Sequence, residues 1–364
     1  MTLAFPLLIF GFQILLALSR GLFDELSGGI FLNGVFLFFF YSAALLLRCG
    51  KREKFQLQQN KVSRKELLRF FFFVLLCVAI FIDALRVMPN LDAIRLDQVA
   101  IARGELLEEN NYWQPRILGY LSVLITILTV HRASSGLKYN LFALASILIS
   151  LMNSVLTFGR GYLLLNLFAL LSLYSGGRSK KAALPFFAFG FFAFIGVEFA
   201  RHGDNGLEAL LETFSSYFLA PIVGSNFVFQ NGVNISLNCQ SALLSVLTSG
   251  CTGNLSQTIA QTEFSGFSSN VYGVVGEWYA IGGLLLMPLI GVAYGIAMKK
   301  NTTKIPQSFS ESVAYYLFSV FSIYHFFSDP FLTNGVFAGL LMFVILSSLR
   351  RSLARKSRKM RVGV

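Results

Sequence analysis

Charge is what this sequence has least of. Only 13% of its 364 residues are charged, whereas 55% are hydrophobic and 39 are phenylalanine. Water-soluble domains carry about twice that charged fraction. A soluble fold is therefore excluded, and a length that would suggest two or three soluble domains makes one helical membrane bundle. No carboxylates cluster in the manner of metal ligands, so no metal and no cofactor is expected. No basic stretch precedes the apolar segment Thr2 to Leu18, which reads as a first span and not as a cleavable signal peptide. Also lacking are charges at the middle of the apolar runs and any convincing internal repeat. Both absences speak against a transporter built from repeated halves.

What is present is a series of apolar runs, at about 3–18, 29–47, 68–87, 114–130, 139–157, 161–175, 183–199, 271–298, 310–327 and 334–349. Each approaches the length that crosses ~30 Å of hydrocarbon, the run at 161–175 being short. Alternating sides from a cytoplasmic N-terminus places most basic residues inside: Arg48 to Arg69, Arg132 and Lys138, Arg178 to Lys181, Lys299 to Lys304, and Arg350 to Arg361. The positive-inside rule is obeyed in every loop. The net charge of +12 follows from this placement, and no nucleic-acid partner is expected. The expectation is an all-α, polytopic integral membrane protein of about ten transmembrane helices, with both termini cytoplasmic. Its parts would be seven helices with an outer loop (1–197), a large outer loop (198–270), and three helices with a basic tail (271–364). That tail reads as a solvated anchor at anionic lipid headgroups, membrane lipids being one partner.

The remaining basic residues are all arginines: Arg20, Arg86, Arg95, Arg103, Arg116, Arg160 and Arg201, with every lysine inside. The guanidinium grips phosphate bidentately and keeps its proton. An outward-facing arginine set points to a phosphate-bearing substrate at the outer leaflet. The plainer reading of any one of them is snorkelling or pairing with an outer acid. Arg160 stands between Gly159 and Gly161 in a tight outer turn, where glycine lets a ligand approach the backbone. Arg95 lies in the outer stretch Met88 to Tyr112, read as a short surface helix in which acids and arginines alternate.

The stretch Glu198 to Asn270 is the one long segment outside the apolar runs. It opens with Arg201, His202, Gly203 and Asp204. Leu207, Leu210, Leu211 and Phe214 then follow at helical spacing, an amphipathic helix suited to a membrane surface. Tyr217 to Val228 is apolar but about half the ~20 residues of a span, and Pro221 and Gly224 interrupt it, so it reads as re-entrant or interfacial. From Asn231 to Asn270, 24 of 40 residues are Ser, Thr, Asn, Gln or Gly. Such a surface suits sugars better than ions. Cys239 and Cys251 face an oxidising compartment and are expected to pair.

Glu277 begins the eighth span about two turns below its outer end, a costly depth that marks function or pairing. His325 and Asp329 close the ninth span at the same side. At Gly159-Arg160-Gly161, at Asn270-Val-Tyr272 through Glu277-Trp278-Tyr279 to Gly282-Gly283, and at Gly291-Val-Ala-Tyr294-Gly295, the chain resembles the Wzy-type O-antigen polymerases. The layout matches over nearly the whole chain. The resemblance implies a GT-C-like glycosyltransferase of the bacterial inner membrane with a large periplasmic loop. Such enzymes join repeat units carried on undecaprenyl diphosphate, and a polysaccharide chain-length regulator is a further candidate partner. Some members carry paired loops with an arginine followed eleven residues later by glycine. None of the outer arginines here has that glycine, so those roles do not transfer by motif.

The implied chemistry assigns donors to the leaving diphosphate, with Arg160 and Arg201 foremost and Arg95 and Arg116 secondary. The attacking sugar hydroxyl needs a base, for which Glu277, His202 and Asp204 are candidates and His325 and Asp329 alternatives. Tyr272, Trp278 and Tyr279 are candidate sugar-contacting rings. Two other functions fit the layout: an O-antigen ligase, which transfers to lipid A-core, and a lipid-linked oligosaccharide flippase or transporter.

Overall fold

The computed structural model describes residues 3–47, 64–87, 113–133, 139–157, 161–176, 192, 206–241, 262–264, 267–269, 272–303, 306–325, 329, 331 and 334–362. These residues are almost wholly helical. In chain order the helices are α1 (Phe5–Ser19), α2 (Ser27–Leu46), α3 (Arg64–Val87), α4 (Trp113–Ala133), α5 (Tyr139–Thr157) and α6 (Gly161–Gly176). They continue with α7 (Gly206–Asn231), the single turn α8 (Leu237–Gln240), α9 (Gly273–Thr302), α10 (Phe309–Tyr324) and α11 (Gly335–Val362). Two three-residue strands, β1 (Thr262–Phe264) and β2 (Phe267–Ser269), pair antiparallel between α8 and α9.

Five of the described helices are long and apolar enough to cross a membrane: α2, α4, and the stretches Leu67–Val87, Gly273–Thr302 and Gly335–Ala354. Three more, at Phe5–Ser19, Leu141–Thr157 and Gly161–Leu173, are apolar but shorter. Side chains such as Leu8, Leu45, Leu46, Phe72 and Leu285 stand well over half exposed. In water such rows would be unstable, whereas lipid accepts them. The chain is a helical membrane protein. The apolar run at 183–199 lies, apart from residue 192, outside the described residues.

Two compact units form. One contains α3 to α6. Its apolar core joins Cys77 and Ala84 of α3 to Leu118 and Ile125 of α4 and Phe142, Ile149 and Leu156 of α5. Its second seam joins Ala143 and Ile147 to Leu163, Leu167 and Leu170 of α6. Hydrocarbon supplies no hydrophobic drive between helices, so polar contacts and close packing must hold them. Asn166 Nδ2 of α6 donates to Ser122 Oγ at 2.9 Å and to Ser150 Oγ at 2.8 Å, tying three helices together. Thr126 and Ser146 are bonded beside it.

The other unit is organised on α2. Helix α7 lies against the start of α2, where a methyl group on Gly29 would come 2.3 Å from Ile222 O. Asn226 caps this start from α7: its Oδ1 accepts from Gly29 N at 3.1 Å and its Nδ2 donates to Glu25 O at 3.0 Å. Further along α2, a Cβ on Gly291 would meet Phe36 O at 2.7 Å and one on Gly295 would meet Phe40 O at 2.2 Å. The two glycines are spaced so that α9 and α2 run parallel in near backbone contact.

Two expectations are corrected. The stretch Tyr217 to Val228 is neither broken nor separate, because Pro221 sits inside the continuous helix α7. Proline removes an N–H and disturbs the carbonyls a turn earlier. Gln13 of α1 donates to one of them, Phe218 O, at 2.7 Å, which is how neighbouring helices make such a proline tolerable. The apolar run expected at 271–298 does form a candidate span, Gly273–Thr302, with a kink inside it. The basic tail is more than a solvated anchor, since Arg351 of α11 bonds Glu311 Oε1 at 2.9 Å and Ser310 Oγ at 2.7 Å at the start of α10.

Candidate functional site at the break in helix α9

Helix α9 breaks at Gly282 and Gly283. Gly283 has φ 63° and ψ −162°, a region open only to glycine. The break releases the carbonyl of Ala280 from its helical bond. Ile235 N, from the segment between α7 and α8, donates to it at 2.9 Å. The first half of α9, residues 273–281, therefore packs beside the end of α7. Ser225 Oγ donates to Tyr272 O at 3.0 Å, and Gly276 faces Ser225.

The start of this half-helix is also covered. The carbonyl of His325, the residue just after α10, accepts from Val274 N at 2.8 Å. A helix C-terminus thus satisfies a helix N-terminus, with both dipoles favourably placed.

Between the two halves lies Asp329, fully buried. Its Oδ2 accepts from Trp278 Nε1 at 2.6 Å and from the hydroxyl of Tyr294. Its Oδ1 accepts from Phe331 N at 2.9 Å across the intervening proline. Its own backbone N–H donates to Glu277 Oε2 at 2.6 Å. In a straight helix Trp278 and Tyr294 would stand about 24 Å apart along the axis. They reach one oxygen because the helix is kinked at the double glycine.

Aromatic rings wall this polar group. Tyr294 stacks on Phe321 with centroids 4.2 Å apart, Phe321 on His325 at 5.5 Å, and His325 on Phe36 of α2 at 6.4 Å. Phe331 closes the wall against Phe321 at 5.7 Å. Surroundings this apolar strengthen each hydrogen bond and raise the cost of any that is lost.

The structure thus brings together Glu277, Trp278, His325 and Asp329, all expected from the sequence. Glu277 is 4% exposed, and Trp278 and Tyr279 are half-buried. Tyr279 leans on Phe229 of α7 with centroids 5.6 Å apart. Tyr272 is buried with Val228 and Ala280 in a small apolar cluster, so its ring packs the core. His325 Nδ1 lies 2.9 Å from Phe321 O. Arg116 is exposed at the start of α4, and Arg20 and Arg86 are exposed as well. Arg95, Arg160, Arg201, His202 and Asp204 lie outside the described residues.

Sequence reasoning gave Tyr294 no role at the site beyond its place in a motif. Its signal was the small-xxx-small pattern of Gly291 and Gly295 around it, which fixes that stretch against α2. Among the described residues no group of three or more His, Cys, Asp or Glu side chains is placed to hold a metal ion. The chain matches no protein-family model, no curated protein and no solved structure.

Proposed function

We propose that this protein is a glycosyltransferase that polymerises undecaprenyl-diphosphate-linked oligosaccharide repeat units into O-antigen polysaccharide at the periplasmic face of the bacterial inner membrane. A hydroxyl of the incoming unit attacks the anomeric carbon of the growing chain. The new glycosidic C–O bond forms, the bond from that carbon to the phosphate oxygen breaks, and undecaprenyl diphosphate leaves as an anion. Glu277 takes the hydroxyl proton. Arg160 and Arg201 hold the diphosphate as its charge develops.

One observation carries this reading. The residues of the motif that resembles the Wzy-type polymerases converge in space: Glu277 and Trp278 before the glycine break and Tyr294 after it all meet Asp329. The half-buried ring of Trp278 adjoins the Asp329 carboxylate, and the half-buried ring of Tyr279 follows it in the chain; both suit stacking on a sugar. Lipopolysaccharide from a strain lacking the gene tests the proposal. A polymerase loss leaves core carrying a single repeat unit. Core with no O-antigen at all makes the protein a ligase instead.

A second reading has its own support. A broken helix with buried acids is how secondary transporters build substrate sites, and α9 with Glu277 and Asp329 has that form. It predicts a flippase. Purified protein in vesicles would then move lipid-linked units across the bilayer and form no ladder.

A further inference from the structure

We infer that Asp329 is a positioning residue that clamps the two halves of α9 and thereby sets Glu277 and Trp278 for reaction. The inference deepens the polymerase reading and rests on it for the chemistry. The clamp itself rests on the hydrogen bonds alone.

The carboxylate of Asp329 faces donors on both oxygens. Trp278 Nε1–H and the Tyr294 hydroxyl converge on Oδ2, and Phe331 N–H meets Oδ1. A group so engaged makes a poor acceptor for a substrate proton. What it does is fix geometry. Trp278 belongs to the first half of α9 and Tyr294 to the second, so one oxygen spans the Gly282–Gly283 break. With its side chain pinned at three points, the Asp329 backbone N–H is held 2.6 Å from Glu277 Oε2. That bond orients the carboxyl proposed as base. The indole is oriented in the same way, because its only donor is spent on Asp329.

An amide cannot replace this carboxylate. Asparagine offers one acceptor oxygen and one NH2 group. If the oxygen faces Trp278 and Tyr294, the NH2 confronts the Phe331 N–H; if reversed, it confronts the Trp278 N–H. Tyr294 can rotate its hydroxyl to accept, but neither N–H can. Asp329→Asn therefore keeps the shape and breaks the clamp.

The test uses full-length protein in detergent or nanodiscs, carrying Trp113→Phe so that Trp278 is the single indole. Three quantities are read: melting temperature, the nitrogen–proton resonance of the Trp278 indole, and elongation of undecaprenyl-diphosphate-linked units. Asp329→Asn should shift the indole resonance upfield and lower kcat at least tenfold, with KM changed by less than threefold. Tyr294→Phe leaves the Trp278 bond and should lower kcat less. A folded Asp329→Asn protein with an unmoved indole resonance overturns the clamp. One with a moved resonance and full kcat overturns its role in positioning. Loss of kcat only in proportion to lost folded protein also overturns that role. A parent protein that elongates nothing defeats the polymerase reading and the positioning role with it, while the indole resonance still decides the clamp separately. If Asp329→Asn fails to fold, Tyr294→Phe and Trp278→Phe carry the test: an unchanged kcat in both overturns the inference.

Discussion

Trp278 and Tyr294 share one hydrogen-bond acceptor, Asp329 Oδ2, from opposite sides of the break in α9. The candidate span Gly273–Thr302 is therefore kinked, and one carboxylate oxygen bonds both of its halves. Glu277, in the first half, is buried, and its neighbour Gly276 packs on Ser225 of α7. A buried carboxylate in such a place is costly unless it is paired or used. Here one of its partners is a backbone N–H.

Glu277→Gln should fold normally and lose polymer. Glutamine keeps the volume, and its amide oxygen can still accept from Asp329 N, so packing is preserved. It cannot take a proton, and loss of a general base costs about 10²–10⁴-fold in rate. Lipopolysaccharide should show core with a single unit and no ladder. A normal ladder would remove Glu277 from the chemistry and move the base role to His202 or Asp204.

Arg160→Ala and Arg160→Lys should both abolish long-chain product while leaving the protein in the membrane. Lysine keeps the charge but not the planar fork that grips a diphosphate, so at most partial activity is expected of it. Wild-type banding from the alanine variant would withdraw the assignment.

Gly295→Leu should loosen α9 from α2. Even the first added carbon would sit 2.2 Å from Phe40 O, a backbone atom that cannot swing aside, whereas a Cβ on Gly34 of α2 meets nothing within 4 Å. Overpacking of this kind typically costs about 1–3 kcal/mol. The melting temperature should fall for Gly295→Leu and hold for Gly34→Ala. Equal melting of the two would show that the close approach does not hold the helices together.

The sequence made the helices legible because apolar length alone sets them, and it placed Glu277, His325 and Asp329 on one side because so few charges interrupt the runs. It misread the proline and gave no sign of the glycine kink. Pro221 looked like a break and is not one, since Gln13 of a distant helix answers a carbonyl that the proline disturbs. Gly282-Gly283 lies inside a candidate span as expected but kinks it, and Ile235 and Asp329 bond the residues before the kink. In both cases the deciding contact comes from far along the chain, where local pattern is silent. Ser308-x-x-Glu311 was legible as a capping box and passed unnoticed; Ser308 Oγ accepts from Glu311 N at 3.3 Å at the start of α10.

Cys239 should resist maleimide in unreduced, denatured protein, and Cys77 should react. Cys239 is disulfide-bonded and Cys77 is free. The expected partner, Cys251, lies outside the described residues. Cys251→Ser should therefore expose Cys239 to the reagent. Closing a loop with eleven intervening residues is worth about 3 kcal/mol in the entropic account, so reduction should lower the melting temperature measurably. Labelling of Cys239 without reductant would refute the bond.

Asn166→Leu should cost less than its burial suggests. Asn166 is fully buried and donates to hydroxyls on two other helices, which at first sight makes it a keystone. Yet each of those hydroxyls already donates to its own helix: Ser122 Oγ to Gly119 O and Ser150 Oγ to Ser146 O, both at 2.7 Å. Removing the amide leaves two serines that have lost a donor to their lone pairs but keep their own bonds. Leucine also fills most of the vacated space with apolar volume. Interhelical bonds of this type in membranes average about 0.6 kcal/mol, so two should sum to roughly 1 kcal/mol by that measure. Asn166→Ala adds a cavity and should cost more. Denaturant or thermal unfolding in one detergent ranks the three proteins. If Asn166→Leu proves the worst, the amide carries an obligation that its two serine bonds do not explain.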